Sequence, residues 1–301
     1  MADRAVKVFH HGKVQNNQQL MDTAKKVMEY YDPIGEITSN KFGDMYSSLT
    51  GIFDFDFLKS YMQESVSKDE VWFPDLELLC TSQMIKGKRL FLSVLGGHNA
   101  QSHNHNDVGN YTIFVNGEPA IIDVGVEQYT KKSFSSQRYD IWTMQSAYHN
   151  LPTINGTMQK DGLQYRTHDV IKSKNALKMN IEAAYPEEAK IKSWVRSFKT
   201  SKAGILISDV YKLEQNLKGI VLNNITPLEI KNVQRGVVEL SRNEEKVLYI
   251  KYDPEQLQLR TEEIVLTDDK LKSEWKQDKL YRIQLIVKNN DPEGEIRIKY
   301  Y

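Results

Sequence analysis

The sequence predicts a mainly β protein, a large antiparallel β-sandwich preceded by a short α-helical segment. Three observations predict it. From about Trp72 onward short apolar runs alternate with turn residues, and long helical periods disappear. Asn116-Gly117 and Asn155-Gly156 punctuate such runs, and Asn-Gly is a strong hairpin signal because both central residues must reach φ > 0. Before that point the pattern is helical: Leu20, Ala24, Val27, Met28 and Tyr31 fall on one face of a helix over residues 16–31, which Asp32-Pro33 and Gly35 stop.

Taken in order, a second short helix is expected over Phe55–Gln63. A hairpin follows, Met84-Ile85 turning at Lys86-Gly87-Lys88 into Leu90–Val94, and then a second, Tyr111–Val115 returning through Ala120–Val124. Further strands are expected at Ile191–Phe198, Ile205–Tyr211, Gly219–Asn223, Val237–Leu240, Val247–Tyr252, Tyr281–Val287 and Glu295–Tyr300. Many short strands with close turns argue for an antiparallel sandwich. The domain reading is a helical segment over residues 1–70 and a β domain over residues 71–301.

Composition narrows the function classes. The 301 residues carry 40 basic and 40 acidic side chains, so no net field draws the chain to nucleic acid. A polyanionic substrate would have to be met by local Lys and Arg clusters. The single cysteine, Cys80, rules out an intrachain disulfide and a thiolate-rich zinc finger. No apolar run is long enough to span a bilayer, and the opening MADRAVKVFHHGK has no signal-peptide pattern.

The chemistry concentrates between the two hairpins and just beyond them. Five of the seven histidines lie between positions 98 and 168, and the segment from Gly96 to Asn110 is the densest polar stretch in the chain. In an extended segment His103 and His105 would share a face, either holding one cation together or dividing into a metal ligand and a substrate-facing group. Asp123 follows in an apolar strand where an unpaired acid is costly, and by alternation it shares a face with Ile121. His149 precedes the strand leading to Asn155-Gly156. Two imidazoles and a carboxylate form a zinc set with one open position; manganese, nickel and iron stay open, whereas magnesium and calcium prefer all-oxygen shells. Gln145 and Asn150 flank His149 as expected orienting partners. Arg138 is a candidate partner for a substrate sulfate or carboxylate. Trp142 and Trp194 are read as sugar platforms or, more commonly, buried sandwich residues, and the sequon asparagines Asn110, Asn155 and Asn224 as chance matches.

The strings SHNHNDVGNYTIFVNGEPAIIDVG and FSSQRYDIWTMQSAYHNLPTINGTMQ resemble the C-terminal region of heparinase II/III-like polysaccharide lyases. The resemblance implies a supersandwich-type β domain behind an (α/α) toroid, of which residues 1–70 would be a remnant, so the chain is expected to be a fragment or a shortened relative. It assigns His105, Asp123 and His149 as metal ligands and His103 as the cleft-facing catalytic histidine. Asn104 and Asn106 become weaker substrate contacts. It further implies zinc with a mainly structural role, an acidic, uronate-containing polysaccharide as partner, β-elimination as the reaction, and the periplasm or cell envelope of a bacterium as the location. The family's acid–base tyrosine belongs to the toroid and maps onto no position here. A non-catalytic glycan-binding or structural sandwich is therefore the competing expectation.

Overall fold

The computed structural model describes residues 2–31 and 70–301 and, between them, Met45, Leu49, Phe53, Asp54, Phe57 and Tyr61. The chain divides into two compact units, Met1–Lys68 and Asp69–Tyr301. No described helix is long and apolar enough to cross a membrane.

The first unit holds α1 (Ala2–Val14) and α2 (Gln18–Tyr31). Asn17 opens α2 by accepting the Leu20 amide on its side chain, the usual way an N-cap satisfies an orphan donor. Phe9, Met21 and Ala24 are buried, the Phe9 ring meets Tyr61 edge-on at 5.4 Å, and Lys13 and His10 both pair with Asp54. The sequence announced α2 but not α1, whose apolar stripe is narrow. The helix expected over Phe55–Gln63 lies outside the described residues except for Phe57 and Tyr61.

The second unit opens with β1 (Glu70–Phe73), β2 (Leu78–Ile85), β3 (Lys88–Leu95), β4 (His98–Asn99), β5 (Tyr111–Val115) and β6 (Glu118–Ile121). It continues with β7 (Pro152–Ile154), β8 (Gly162–Arg166), β9 (His168–Ser173), β10 (Ala176–Asn180), β11 (Ile191–Ser201), β12 (Gly204–Leu213) and β13 (Ile220–Thr226). After β14 (Glu229–Gln234), β15 (Val237–Arg242), β16 (Glu245–Lys251) and β17 (Leu257–Val265) come α3 (Asp269–Trp275), β18 (Lys279–Val287) and β19 (Glu293–Tyr300). The strands pair antiparallel in a five-stranded sheet (β1-β2-β3-β5-β6), an eight-stranded sheet (β14-β15-β16-β19-β12-β11-β10-β9) and a four-stranded sheet (β17-β18-β13-β7), with β4 and β8 as a small bridge.

Alternation sets the layers. Leu90, Leu92 and Val94 of β3 face inward with Ile113 and Val115 of β5, and meet Trp194, Phe198, Ile205, Ile207, Ile296 and Ile298 from the large sheet. Ile154, Leu222, Ile283 and Leu285 extend the same core into the four-stranded sheet. The hairpin turns have the left-handed pairs that the sequence requires: Lys86 and Gly87 at φ 51° and 82°, Asn116 and Gly117 at 53° and 89°, Asn155 and Gly156 at 52° and 75°. Trp194 is fully buried, so it is a core residue and no sugar platform, and Asn110, Asn155 and Asn224 are buried too. The sequence did not announce β1, β4, β8, β9, β10, β14 or β17; β9 and β17 alternate charged or polar residues with few buried ones, which hides the apolar pattern.

One buried ion pair links this core to the loops above it. Arg196 on β11 grips Asp209 on β12 through Nε (2.8 Å) and Nη2 (2.9 Å). Its Nη1 donates to the carbonyls of Asn150 (2.9 Å) and Gly109 (3.2 Å), and the Trp194 indole also donates to Asp209. Removing one partner of such a pair strands the other charge. Asp209→Ala should therefore lower unfolding free energy by about 3–5 kcal/mol in urea titration, and a loss below about 1 kcal/mol would show that the pair does not organise the core.

Candidate metal centre

Between Leu95 and Tyr111 the chain leaves the five-stranded sheet for a long polar loop, and the loop is pinned at its base. The Gly109 amide donates to the Leu95 carbonyl at 2.8 Å, and the Leu95 amide to the Asn110 carbonyl at 2.9 Å. Gly109 sits at φ +83°, and a Cβ there would approach Ile181 Cγ2 to 2.9 Å, so glycine is required both by backbone and by packing. Gln159 acts as a substitute strand: its amide donates to the Val108 carbonyl (2.7 Å) and accepts the Val108 amide (3.0 Å). Its Oε1 also accepts from Asn99 Nδ2, and Asn99 Oδ1 accepts the Asp107 amide at 3.2 Å. Asn106 is buried, with Nδ2 directed to the Gln159 carbonyl, so its side chain holds the loop from beneath.

This scaffold brings together His105, Asp107, Asp123 and His149, whose ligand atoms all lie within 4.8 Å of one another. The three ligands expected from the resemblance are in the group. Asp107 is the fourth, missed by the sequence reading although His105-x-Asp107 repeats the spacing of His103-x-His105 two residues on. Asp123 follows the end of β6: Ile121 and Ile122 are both buried, so the expected alternation breaks there. Ile122 instead joins a small cluster with Val124, Ile225 and Leu271 of α3, and this turns the carboxylate toward the histidines. Asp123 Oδ1 accepts the Gly125 amide at 2.8 Å, and Oδ2 accepts from Asn110 Nδ2 at 3.2 Å. His149 Nδ1 lies 3.2 Å from Oδ2, and His105 Nδ1 4.0 Å from Oδ1.

The imidazole of His149 is fully buried, and its Nε2 donates to the Thr143 carbonyl at 3.1 Å. A carbonyl only accepts, so the proton is fixed on Nε2 and Nδ1 faces the Asp123 carboxylate. Two lone pairs cannot share that gap without a proton or a cation. Gln145 and Asn150 do not supply the orientation expected of them. Gln145 binds the Tyr139 carbonyl, and Asn150 stitches strands together through the carbonyls of Tyr111 and Ile122 and the amide of Ile225. Thr143 and Asn110 are the orienting partners instead; Asn110 reaches both Asp123 and His149 Nδ1 (3.3 Å).

Electrostatics suit a metal. Burial pushes the His105 imidazole down to about 4, with Asp123 opposing and His149 and Arg138 adding to the shift, so His105 is a neutral donor near pH 7. Burial opposes ionisation of Asp123, but the charge of His149, its hydrogen bonds to His149 and the Gly125 amide, and the nearby His105 ring outweigh it, and its carboxyl is held well below the usual range. Burial raises Asp107. For His149 burial favours the neutral ring, and Asp123 reverses the balance. A neutral imidazole, a second with its lone pair turned inward, and two carboxylates make a mixed nitrogen–oxygen donor set that fits zinc better than calcium or magnesium.

His103 stands apart from the four. It lies in a turn at φ 59°, so the extended geometry expected for His103 and His105 does not occur, and the two rings do not share a face. His103 is exposed on a cavity of about 180 Å³ lined also by His98, Gln101, Asn104, His105 and Asp107. The Tyr129 hydroxyl lies 3.2 Å from His103 Nδ1, with ring centroids 5.8 Å apart, and Phe134 packs on the far side of Tyr129. Asn104 reaches Asn106 and the Tyr139 hydroxyl, and Arg138 donates to the carbonyls of Asn104 (3.1 Å) and Ser133 (2.8 Å).

Two variants test the construction of the centre. Asn110→Ala leaves every proposed ligand in place yet should weaken zinc binding by about 10–100-fold in chelator competition, as loss of an orienting partner does. His149→Ala should both abolish zinc retention and lower the melting temperature. Zinc affinity equal to that of the parent in both variants would remove these residues from the centre.

The heparinase II/III-like C-terminal family matches residues 89–263, more than half of the chain. Among solved structures, the heparinase III product of the BT4657 gene is 15% identical, with a TM-score of 0.63 over 98% of this chain and 50% of that one. The heparan sulfate lyase HepC of Pedobacter heparinus is 11% identical, with a TM-score of 0.62 over 94% of this chain and 42% of that one. At such identities the likeness shows the shared fold, and the chain spans about half the length of the structures it matches. No curated protein sequence matches it. The antiparallel sandwich and the family match over residues 89–263 together place this chain in the heparinase II/III-like family, C-terminal domain.

Proposed function

We propose that this chain is the β-sandwich part of a polysaccharide lyase that cleaves uronic-acid-containing glycans of the heparan sulfate type by β-elimination, in the bacterial periplasm or cell envelope. The observation that carries the reading is His103, an exposed imidazole on a polar cavity that His105 and Asp107 of the four-residue group also line. β-Elimination requires the sugar carboxylate to be neutralised, the C5 proton to be removed and the departing O4 to be protonated. An imidazole can both accept and donate a proton and so suits either proton step. The Tyr129 hydroxyl engages His103 Nδ1 and leaves Nε2 as the proton-transfer atom.

His105, Asp107, Asp123 and His149 would hold zinc. With four protein ligands the ion supplies fixed positive charge and cross-links the loop, a closed structural arrangement. The loop in turn fixes His103. Asn104 and Arg138 are the proposed contacts to a carboxylate or sulfate, with Asn104 on the cavity wall; Arg138 Nη2 is buried and has no partner among the described residues, so an anion would reach it only after the covering side chains move.

The chain should release a product with the ultraviolet absorbance of an unsaturated uronate from at least one of heparan sulfate, chondroitin, hyaluronan or alginate. His103→Ala should slow this by about 10²–10⁴-fold while zinc content stays at the parent level. Glycan binding without any unsaturated product would replace the lyase reading with a non-catalytic binding module.

A further inference from the structure

A second charged feature lies at the other end of the five-stranded sheet. A cavity of about 730 Å³ opens where the β2–β3 turn meets β12, β16 and β19, and four cationic side chains line it: Lys86, Lys251, Arg297 and Lys299. That volume is typical of a ligand site. Lys86 lies just before β3 and the metal loop begins just after it. Eight residues at about 3.3 Å each put roughly 25 Å of strand between the two.

The cations are placed against the ordinary rule for sheets. Lys251 on β16 is the direct cross-strand partner of Lys299 on β19. Like charges opposed in this way are destabilising. Further along β19 the ladder obeys the rule: Lys212 faces Glu293 and pairs with it at 3.1 Å. Arg297 pairs with Glu295, and Asp253 is the one acid among the residues that line the cavity, while Lys86, Lys251 and Lys299 have no carboxylate partner among the described residues. In a chain of zero net charge this is a local concentration. Arg297, Lys299 and Tyr301 project from one face because Ile296, Ile298 and Tyr300 fill the core.

The ammonium groups are also ordered. Lys86 Nζ lies 4.6 Å from the centroid of the Tyr301 ring and Lys299 Nζ 5.9 Å from it, and the ring is stacked on Tyr249 at 5.5 Å. Cation–π contact holds the lysines before any ligand arrives, which reduces the ordering cost of binding. With Tyr249 and the ammoniums against it, the Tyr301 ring has little face left for a nucleobase, so single-stranded nucleic acid fits poorly.

We propose that this groove is an anchoring subsite for a sulfated or carboxylated oligosaccharide, remote from His103. Its occupant rests on the reading of the chain as a protein of acidic polysaccharides. The groove grips successive anionic groups through Lys86, Lys251 and Lys299, and holds the polymer while another stretch of it reaches the metal-stapled loop.

The test uses the full chain and a labelled, size-defined heparan sulfate oligosaccharide, titrated at several salt concentrations. Lys251→Glu/Lys299→Glu, and separately Lys251→Gln/Lys299→Gln, should weaken binding at least tenfold and flatten its salt dependence at an unchanged melting temperature. His103→Ala should leave this component of binding intact. Parent-like affinity in both double variants overturns the proposal. So does an oligonucleotide of equal charge that binds as tightly and is lost in the same variants, because the groove is then a nucleic-acid surface. Loss of binding in the double variants, with no unsaturated product from any glycan, upholds the groove and rejects the lyase reading alone.

Discussion

A carboxylate taken partly out of water must be met by donors or cations, and the way Asp123 is met organises one whole end of the sandwich. It receives a backbone amide from Gly125 and a side-chain amide from Asn110, and it faces two imidazoles. Each of those groups is tied elsewhere. Asn110 is bonded to the Asn150 amide, His149 to the Thr143 carbonyl, and His105 rides on a loop that Gln159 and Asn99 hold. Neutralising one charge thus links the Gly96–Asn110 loop, the end of the second hairpin and the segment before β7.

Side-chain amides do much of this work because loops cannot pair their own backbones. Gln159 pairs with Val108 as a strand would, and Asn150 bonds the carbonyls of Tyr111 and Ile122 while accepting the Ile225 amide. Buried polar networks of this kind are costly when half satisfied and rigid when complete. Beneath them Arg196 binds the Asn150 and Gly109 carbonyls and is itself held by Asp209. A metal at the four-residue group would close the last gap, the space between His149 Nδ1 and Asp123.

The sandwich has two chemically different ends. At one, carboxylates and imidazoles converge beside a small, pinned cavity. At the other, like charges are left facing each other across β16 and β19 in a wider groove. The β3 strand joins them.

By itself the sequence determined what depends on local chemistry. The Asn-Gly turns required left-handed pairs, and Asn116-Gly117 and Asn155-Gly156 adopt them. The alternation in β3 and β5 marked the inward faces, and the histidine-rich loop with Asp123 and His149 was visible as a motif. Where sequence failed, the deciding contacts were distant. The spacing of His103 and His105 suggests neighbours on an extended strand, but a turn sends His103 toward Tyr129 and leaves His105 beside Asp107, a carboxylate the motif does not announce. Gln145 was chosen by adjacency over Asn110, which lies 39 residues from His149 in the chain and beside it in space. The opposed pair Lys251 and Lys299 is likewise invisible until the strands are aligned. Backbone conformation follows from a few neighbouring residues, whereas the surroundings of a charge are set by whichever strands pack against it, and only the tertiary structure decides those.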